Sequence, residues 1–221
     1  MICLGIVKFP NLGRLISLQT LACFSVRNEQ GYEVKQLRDL KKLRGSLHIH
    51  DLENVKSKEE ALEANLAAKE WLTELRLVWD DDTRCSPEVE AEVLEGLCPP
   101  VGLQKLDIFG YRGSTYPDWM VGKQSGGPEG LGNLSLWGCS QLGPGPEFEA
   151  FPHLRVLYIY SCSWDSLLGN MEYLALLKVL HIVGCKNIRS IPTLPQSIEK
   201  LFLSLCNDEL MKSCKTVAHP N

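Results

Sequence analysis

Much of what this 221-residue sequence can do is bounded by what it lacks. No apolar run approaches the roughly 20 residues that cross a bilayer, so no membrane partner is expected. The opening Met1-Ile2-Cys3-Leu4-Gly5-Ile6-Val7-Lys8 has no basic leader and no long apolar stretch, so no secretory signal is expected either. Positive charge is not in excess: 23 Lys and Arg stand against 27 Asp and Glu, a net charge of −4. That balance leaves no electrostatic footprint for nucleic acid. A phosphate-cradling Gly-x-x-x-x-Gly-Lys-Ser/Thr loop is absent, as is a Gly-x-Ser-x-Gly nucleophile elbow. The acidic run Asp80-Asp81-Asp82 lacks EF-hand spacing and reads as a solvated loop. Neither catalysis nor a bound cofactor or metal is expected. The nine cysteines form no Cys-x-x-Cys pair, and an odd number of them fits a reduced, cytoplasmic compartment. A single glycosylation sequon, Asn133-Leu134-Ser135, falls inside an expected strand and not on a surface loop.

What is present is a repeat. Leu154-x-x-Leu157-x-Ile159-x-x-Cys162 returns 23 residues later as Leu177-x-x-Leu180-x-Ile182-x-x-Cys185. Self-similarity at this period, with this leucine spacing, marks a leucine-rich repeat. Anchored on two apolar residues separated by one, the frame gives eight strand cores: 24–26, 47–49, 75–77, 106–108, 134–136, 157–159, 180–182 and 201–203. An apolar residue stands three positions before seven of the eight; before the second, Leu43 replaces Arg44 in that role. Alternation sends both core residues of a strand to one face and the residue between them to the other. The expected fold is therefore α/β: a curved solenoid spanning residues 1–221, with parallel strands on the concave face and helices and loops on the convex face. No repeat can bury its own leucines, so neighbours must bury them, each contributing about 1.5–3 kcal/mol.

The longer repeats read as carrying helices. Ser57-Lys58-Glu59-Glu60 has the form of a capping box, and the apolar stripe after it predicts a helix running to Leu72 with Leu62 and Leu66 inward. Ser86-Pro87 opens a second helix, through Leu97 and ending before Pro99-Pro100. Loops are expected at 80–84, 122–130 and 143–146.

On the open face of the strands, the frame places Ser25, His48, Arg76, Asp107, Ser135, Tyr158, His181 and Phe202 between the core residues. Phe109, Trp137 and Tyr160 follow immediately after them. Parallel strands lie about 4.8 Å apart, so Arg76, Phe109, Trp137, Tyr158, Tyr160, His181 and Phe202 are the candidate partner-binding residues. Aromatic and arginine side chains dominate protein interfaces. His48-Ile49-His50-Asp51 has the look of a metal motif, yet no thiol is placed by the frame to complete a tetrahedral shell, so these are expected to be surface histidines. Cys139, Cys162, Cys185 and Cys206 share one repeat position and read as small buried side chains that meet backbone groups at the turn.

One stretch is more distinctive than the leucine frame: Val93-Leu94-Glu95-Gly96-Leu97, then Leu103-x-x-Leu106-x-Ile108-x-Gly110-Tyr111-x-Gly113-x-x-x-Pro117-x-Trp119-Met120. With Asn11-Leu12, Gly45-x-Leu47-x-Ile49-x-x-Leu52-x-Asn54-Val55, Leu136-Trp137-Gly138-Cys139 and the ending Lys212 to Asn221, it resembles the repeat region of plant nucleotide-binding leucine-rich-repeat disease-resistance proteins of the coiled-coil subgroup. The resemblance implies a module that recognises a pathogen effector or a guarded host protein and that restrains the nucleotide-binding domain of the full receptor. The family's phosphate loop and coiled coil are absent from this sequence, which reads as the repeat portion alone, with apolar Ile2, Leu4, Ile6, Val7 and Phe9 in place of a polar cap. Three other readings stand beside it, one of them the ectodomain of a membrane receptor, which would need a signal peptide and a spanning helix. A substrate adaptor of a ubiquitin ligase would need an F-box-like segment ahead of the repeats. An inactive truncated relic would have no partner.

Overall fold

A computed structural model describes residues 9–80, 85–122, 126–140, 145–146, 148–167 and 171–217. The apolar opening through residue 8, most of the acidic loop, parts of the two glycine-rich loops and the last four residues lie outside that set. The strands are β1 (Cys23–Ser25), β2 (Arg44–His50), β3 (Trp71–Val78), β4 (Lys105–Phe109), β5 (Asn133–Trp137), β6 (Val156–Tyr160), β7 (Val179–Val183) and β8 (Lys200–Ser204). They form one open sheet in sequence order, and every neighbouring pair is parallel. This is the leucine-rich-repeat solenoid.

Register explains the core. Leu47, Leu75, Leu106, Leu134, Leu157 and Leu180 stand side by side, as do Ile49, Leu77, Ile108, Leu136, Ile159 and Ile182, and all twelve are buried. At β8 the same positions lose cover: Leu201 is 44% exposed because no further strand lies beyond it among the described residues. Leu43 is buried while Arg44 points outward, as the frame expects.

Two sequence expectations need correction. The first repeat is out of frame by two residues, since Phe24 aligns with Ile49 and not with Leu47, which places Cys23 beside His48. Phe24 and Val26 are both buried and apolar, so they mimic a core pair. The first helix is also shorter than predicted. α1 (Lys58–Leu62) is capped by the Ser57 hydroxyl, which accepts from the Glu60 amide, but Asn65 adopts φ 48 and breaks the run. Leu62 is 54% exposed, and Trp71 and Leu72 are drawn into β3 by pairing with Arg44 and Gly45. α2 (Pro87–Gly96) begins and ends as expected, with the Ser86 hydroxyl accepting from the Val89 amide. It packs on α1 so closely that a Cβ at Gly96 would lie 2.6 Å from the Lys58 carbonyl oxygen. A third helix, α3 (Asp208–Val217), closes the described chain.

Candidate functional site

The open face of the sheet carries two parallel rows, because alternate residues of an extended strand share a face. One runs Cys23, His48, Arg76, Asp107, Ser135, Tyr158, His181, Phe202; in the other, Val78, Phe109, Trp137, Tyr160, Val183 and Ser204 stand in line. In-register strands about 4.8 Å apart bring equivalent side chains to aromatic contact distance. Phe109 and Trp137 stack at 5.3 Å between centroids with 8° between planes, and Trp137 and Tyr160 stack at 3.9 Å and 14°. Tyr160 meets Tyr158 at 5.9 Å, Tyr158 meets His181 edge-on at 4.9 Å, and His181 meets Phe202 at 5.2 Å.

The N-terminal end of this ladder is charged. The Arg76 guanidinium lies 4.9 Å from the Phe109 centroid, and its Nη2 donates to Asp107 Oδ2 at 2.9 Å. Lys105 adds a second cation 3.8 Å from the same carboxylate. All seven candidate residues, Arg76, Phe109, Trp137, Tyr158, Tyr160, His181 and Phe202, thus belong to one unbroken chain of contacts across six strands. Trp137 keeps 37% of its surface exposed and Phe202 49%. Burial, reinforced by Tyr158, pushes the Tyr160 hydroxyl above its ordinary pKa, so it stays a neutral phenol that can donate a hydrogen bond. The surface offers flat apolar area, phenolic donors and one held guanidinium.

The cysteine column lies beneath this face. Cys162 Sγ donates to the Leu136 carbonyl at 3.7 Å, Cys185 to Ile159 at 3.9 Å and Cys206 to Ile182 at 3.4 Å, each reaching back one repeat. Hydrogen bonding with the neighbouring thiol, Cys139 for Cys162 and Cys162 for Cys185, pushes both thiol pKa values up and burial adds to it, so these sulfurs remain protonated. They are packing groups. Cys23 differs from the other cysteines whose state is described: it is disulfide-bonded, and its sulfur lies on the open face 4.0 Å from His48 Nδ1. The sequence frame, with its two-residue slip, had put Ser25 in that place, so the expectation that no thiol stands near His48 and His50 is corrected. Asp51 turns elsewhere and accepts from the Ser25 hydroxyl. Asp80, the one described residue of the acidic run, donates its amide to the Glu53 carboxylate at 3.1 Å.

The distinctive Tyr111 to Met120 block is also core. Gly110 adopts φ 71 and abuts the Trp79 carbonyl so closely that no Cβ fits. A Cβ at Gly113 would enter the Tyr111 ring, whose hydroxyl donates to the Thr115 carbonyl. Trp119 is 1% exposed, with Nε1 donating to the Leu94 carbonyl at 3.2 Å. Glu90, wholly buried, is held by the Arg112 amide at 2.7 Å and the Arg112 Nη2 at 3.1 Å. The block therefore locks α2 to the strand-end turns.

The R13L1/DRL21 leucine-rich-repeat family matches residues 34–162, over half of the sequence, a span that contains this block. The chain belongs to this family. Its curated relatives include disease resistance protein RGA2 of Solanum bulbocastanum, 40% identical over 162 residues, which cover 73% of this chain and 16% of that protein. RGA1 of the same species, named as a candidate resistance protein, is 35% identical over 156 residues, 71% of this chain and 15% of that one. An RPP13-like candidate resistance protein of Arabidopsis thaliana is 32% identical over 176 residues, 76% and 14% of the two chains. The chain thus spans about one sixth of the length of the first curated relatives it matches. No solved structure matches it. As a member of this family the chain is a repeat region related to plant disease resistance proteins, a recognition architecture and not one typical of enzymes. No helix among the described residues is long and apolar enough to cross a membrane.

Proposed function

We propose that this chain is the protein-recognition part of a plant immune receptor and that its aromatic ladder is the partner-binding surface. The partner is a pathogen effector or a guarded host protein. In the full receptor the same repeats restrain the nucleotide-binding domain, and this chain is the repeat portion of that longer protein. The reading is carried by the stacked Phe109–Trp137–Tyr160 row with Arg76 at its head. Large rings left on an open sheet face cost solvation unless a partner covers them, and rigid aromatic and arginine anchors supply most of the energy of protein interfaces. A ligand that bound this face in only one state of the receptor would shift the receptor toward that state.

The test is a comparison of proteins captured from pathogen-challenged and mock-treated leaf extract by the wild-type chain, by Trp137→Ala/Tyr160→Ala, and by Trp71→Ala. Trp71 is 68% exposed and lies outside the ladder. Challenge-dependent capture should persist with Trp71→Ala and vanish with the double variant. Equal capture by all three chains would contradict the assignment.

A further inference from the structure

The N-terminal end of the same face carries different chemistry. β1 and β2 pair so that Cys23 lies beside His48 and Ser25 beside His50. One ligand atom from each of Cys23, His48 and His50 lies within 4.8 Å of the other two. The Cys23 Sγ to His48 Nδ1 separation is 4.0 Å. Sulfur and nitrogen bound to one tetrahedral zinc ion are about 3.5 Å apart, so the Cys23–His48 pair must close by about half an ångström and the separations to His50 by at most about 1.5 Å. His50 Nε2 is buried and makes no hydrogen bond. Such an atom costs free energy unless something occupies it. Arg76 does not repel a cation strongly, because Asp107 already pairs with it at 2.9 Å. Two imidazoles and a thiolate form the borderline-soft donor set that zinc prefers, with a fourth position left for water or a partner's side chain.

We propose that Cys23, His48 and His50 form a zinc site that is available only when Cys23 is reduced. In the structure the Cys23 sulfur is committed to a disulfide. Exchange with a dithiol breaks that S–S bond: the dithiol gives up two electrons and two protons, becoming its own disulfide, and both protein sulfurs leave as thiols. Zinc then takes the Cys23 sulfur as thiolate, and the thiol proton passes to solvent. The site lies at one end of the candidate partner-binding face but does not depend on it.

The experiment uses the full chain, reduced with a dithiol, freed of it under nitrogen and titrated with cobalt(II), then with zinc. The reduced chain should bind one equivalent, show thiolate-to-cobalt charge-transfer absorption, and unfold at higher urea concentration once zinc is present. The oxidised chain should do none of these. Cys23→Ser and His50→Gln should each weaken binding by about 100-fold or more, beyond most outer-shell effects, while Cys98→Ser should bind as the wild type does. The proposal is overturned if the reduced chain shows no charge-transfer band, if that band survives in Cys23→Ser, or if the oxidised chain binds equally well. Should either single variant fail to fold by circular dichroism, the zinc-dependent rise in the wild-type urea midpoint decides: its absence overturns the site.

Discussion

Lys69 is wholly buried, and its Nζ donates to the Leu37 carbonyl oxygen at 2.7 Å, tying two repeats together. Burial pushes this ammonium from its ordinary 10.5 down to about 8, with Asp39 opposing part of the effect. At about 1.4 kcal/mol per pH unit, that separation corresponds to ~3 kcal/mol. In the unfolded chain Lys69 keeps its proton up to pH 10.5, whereas in the folded chain it loses it near pH 8. Between those values the unfolded state binds more protons, so stability rises with pH; below pH 8 the full cost applies. Lys69→Met removes the titration and leaves the Leu37 carbonyl without its donor, a loss of ~1–3 kcal/mol. Near pH 7 the two terms should nearly cancel, and variant and wild type should unfold at similar urea concentrations. By pH 10.5 the wild type should have gained ~3 kcal/mol on the variant. Urea unfolding of both chains at pH 7, 9 and 10.5 measures this, since every other titrating group is common to both and drops out of the difference. A difference that stayed constant across that range would refute the buried ammonium.

Other perturbations probe the repeat and its face. Leu157→Asp places a carboxylate among fully buried leucines; it should cost at least ~3 kcal/mol, and an unchanged melting curve would be incompatible with the stacked core. Gly113→Ala drives a methyl group into the Tyr111 ring and should lower the urea midpoint by ~1–3 kcal/mol equivalent; a wild-type midpoint would mean that the ring can move aside. Trp137→Ala/Tyr160→Ala removes stacked contacts of ~0.5–1.5 kcal/mol each while leaving the leucines untouched, so a small shift with a cooperative melt is expected, and loss of cooperativity would assign the ladder to the core. Leu201 and Leu205, 44% and 75% exposed at the β8 end, should make the isolated chain self-associate. Light scattering should show this fall in Leu201→Lys/Leu205→Lys, and a wild-type chain that is monomeric at every concentration would speak against it.

The strand frame was legible because a two-residue alternation inside a fixed repeat sets both the face and the register of a side chain. The same rule puts Phe109, Trp137 and Tyr160 in line from the sequence alone. It failed at the first strand, where Phe24 and Val26 imitate a core pair and Ala22 is too small to announce itself. The slip hid Cys23 from the histidines it adjoins. Helix propensity overran at residues 63–72, because the left-handed turn at Asn65 and the pairing of Trp71 with Arg44 are settled by tertiary contacts. The Tyr111 to Met120 block stood out as a motif, but its role rests on a ring seated against Gly113, a contact with no periodic signature. Lys69 and Glu90 could not be foreseen as buried. Each depends on a partner far along the chain, the Leu37 carbonyl in one case and Arg112 in the other.

We propose that the open sheet face, and not the helical side, meets the partner. Hydroxyl-radical footprinting of the chain with and without a captured, purified partner tests it most directly. Protection should fall on Trp137, Tyr158, Tyr160 and Phe202, with α1 and α2 reacting as in the free chain. Protection confined to α1 and α2, with the four aromatic residues as reactive as before, would contradict the account.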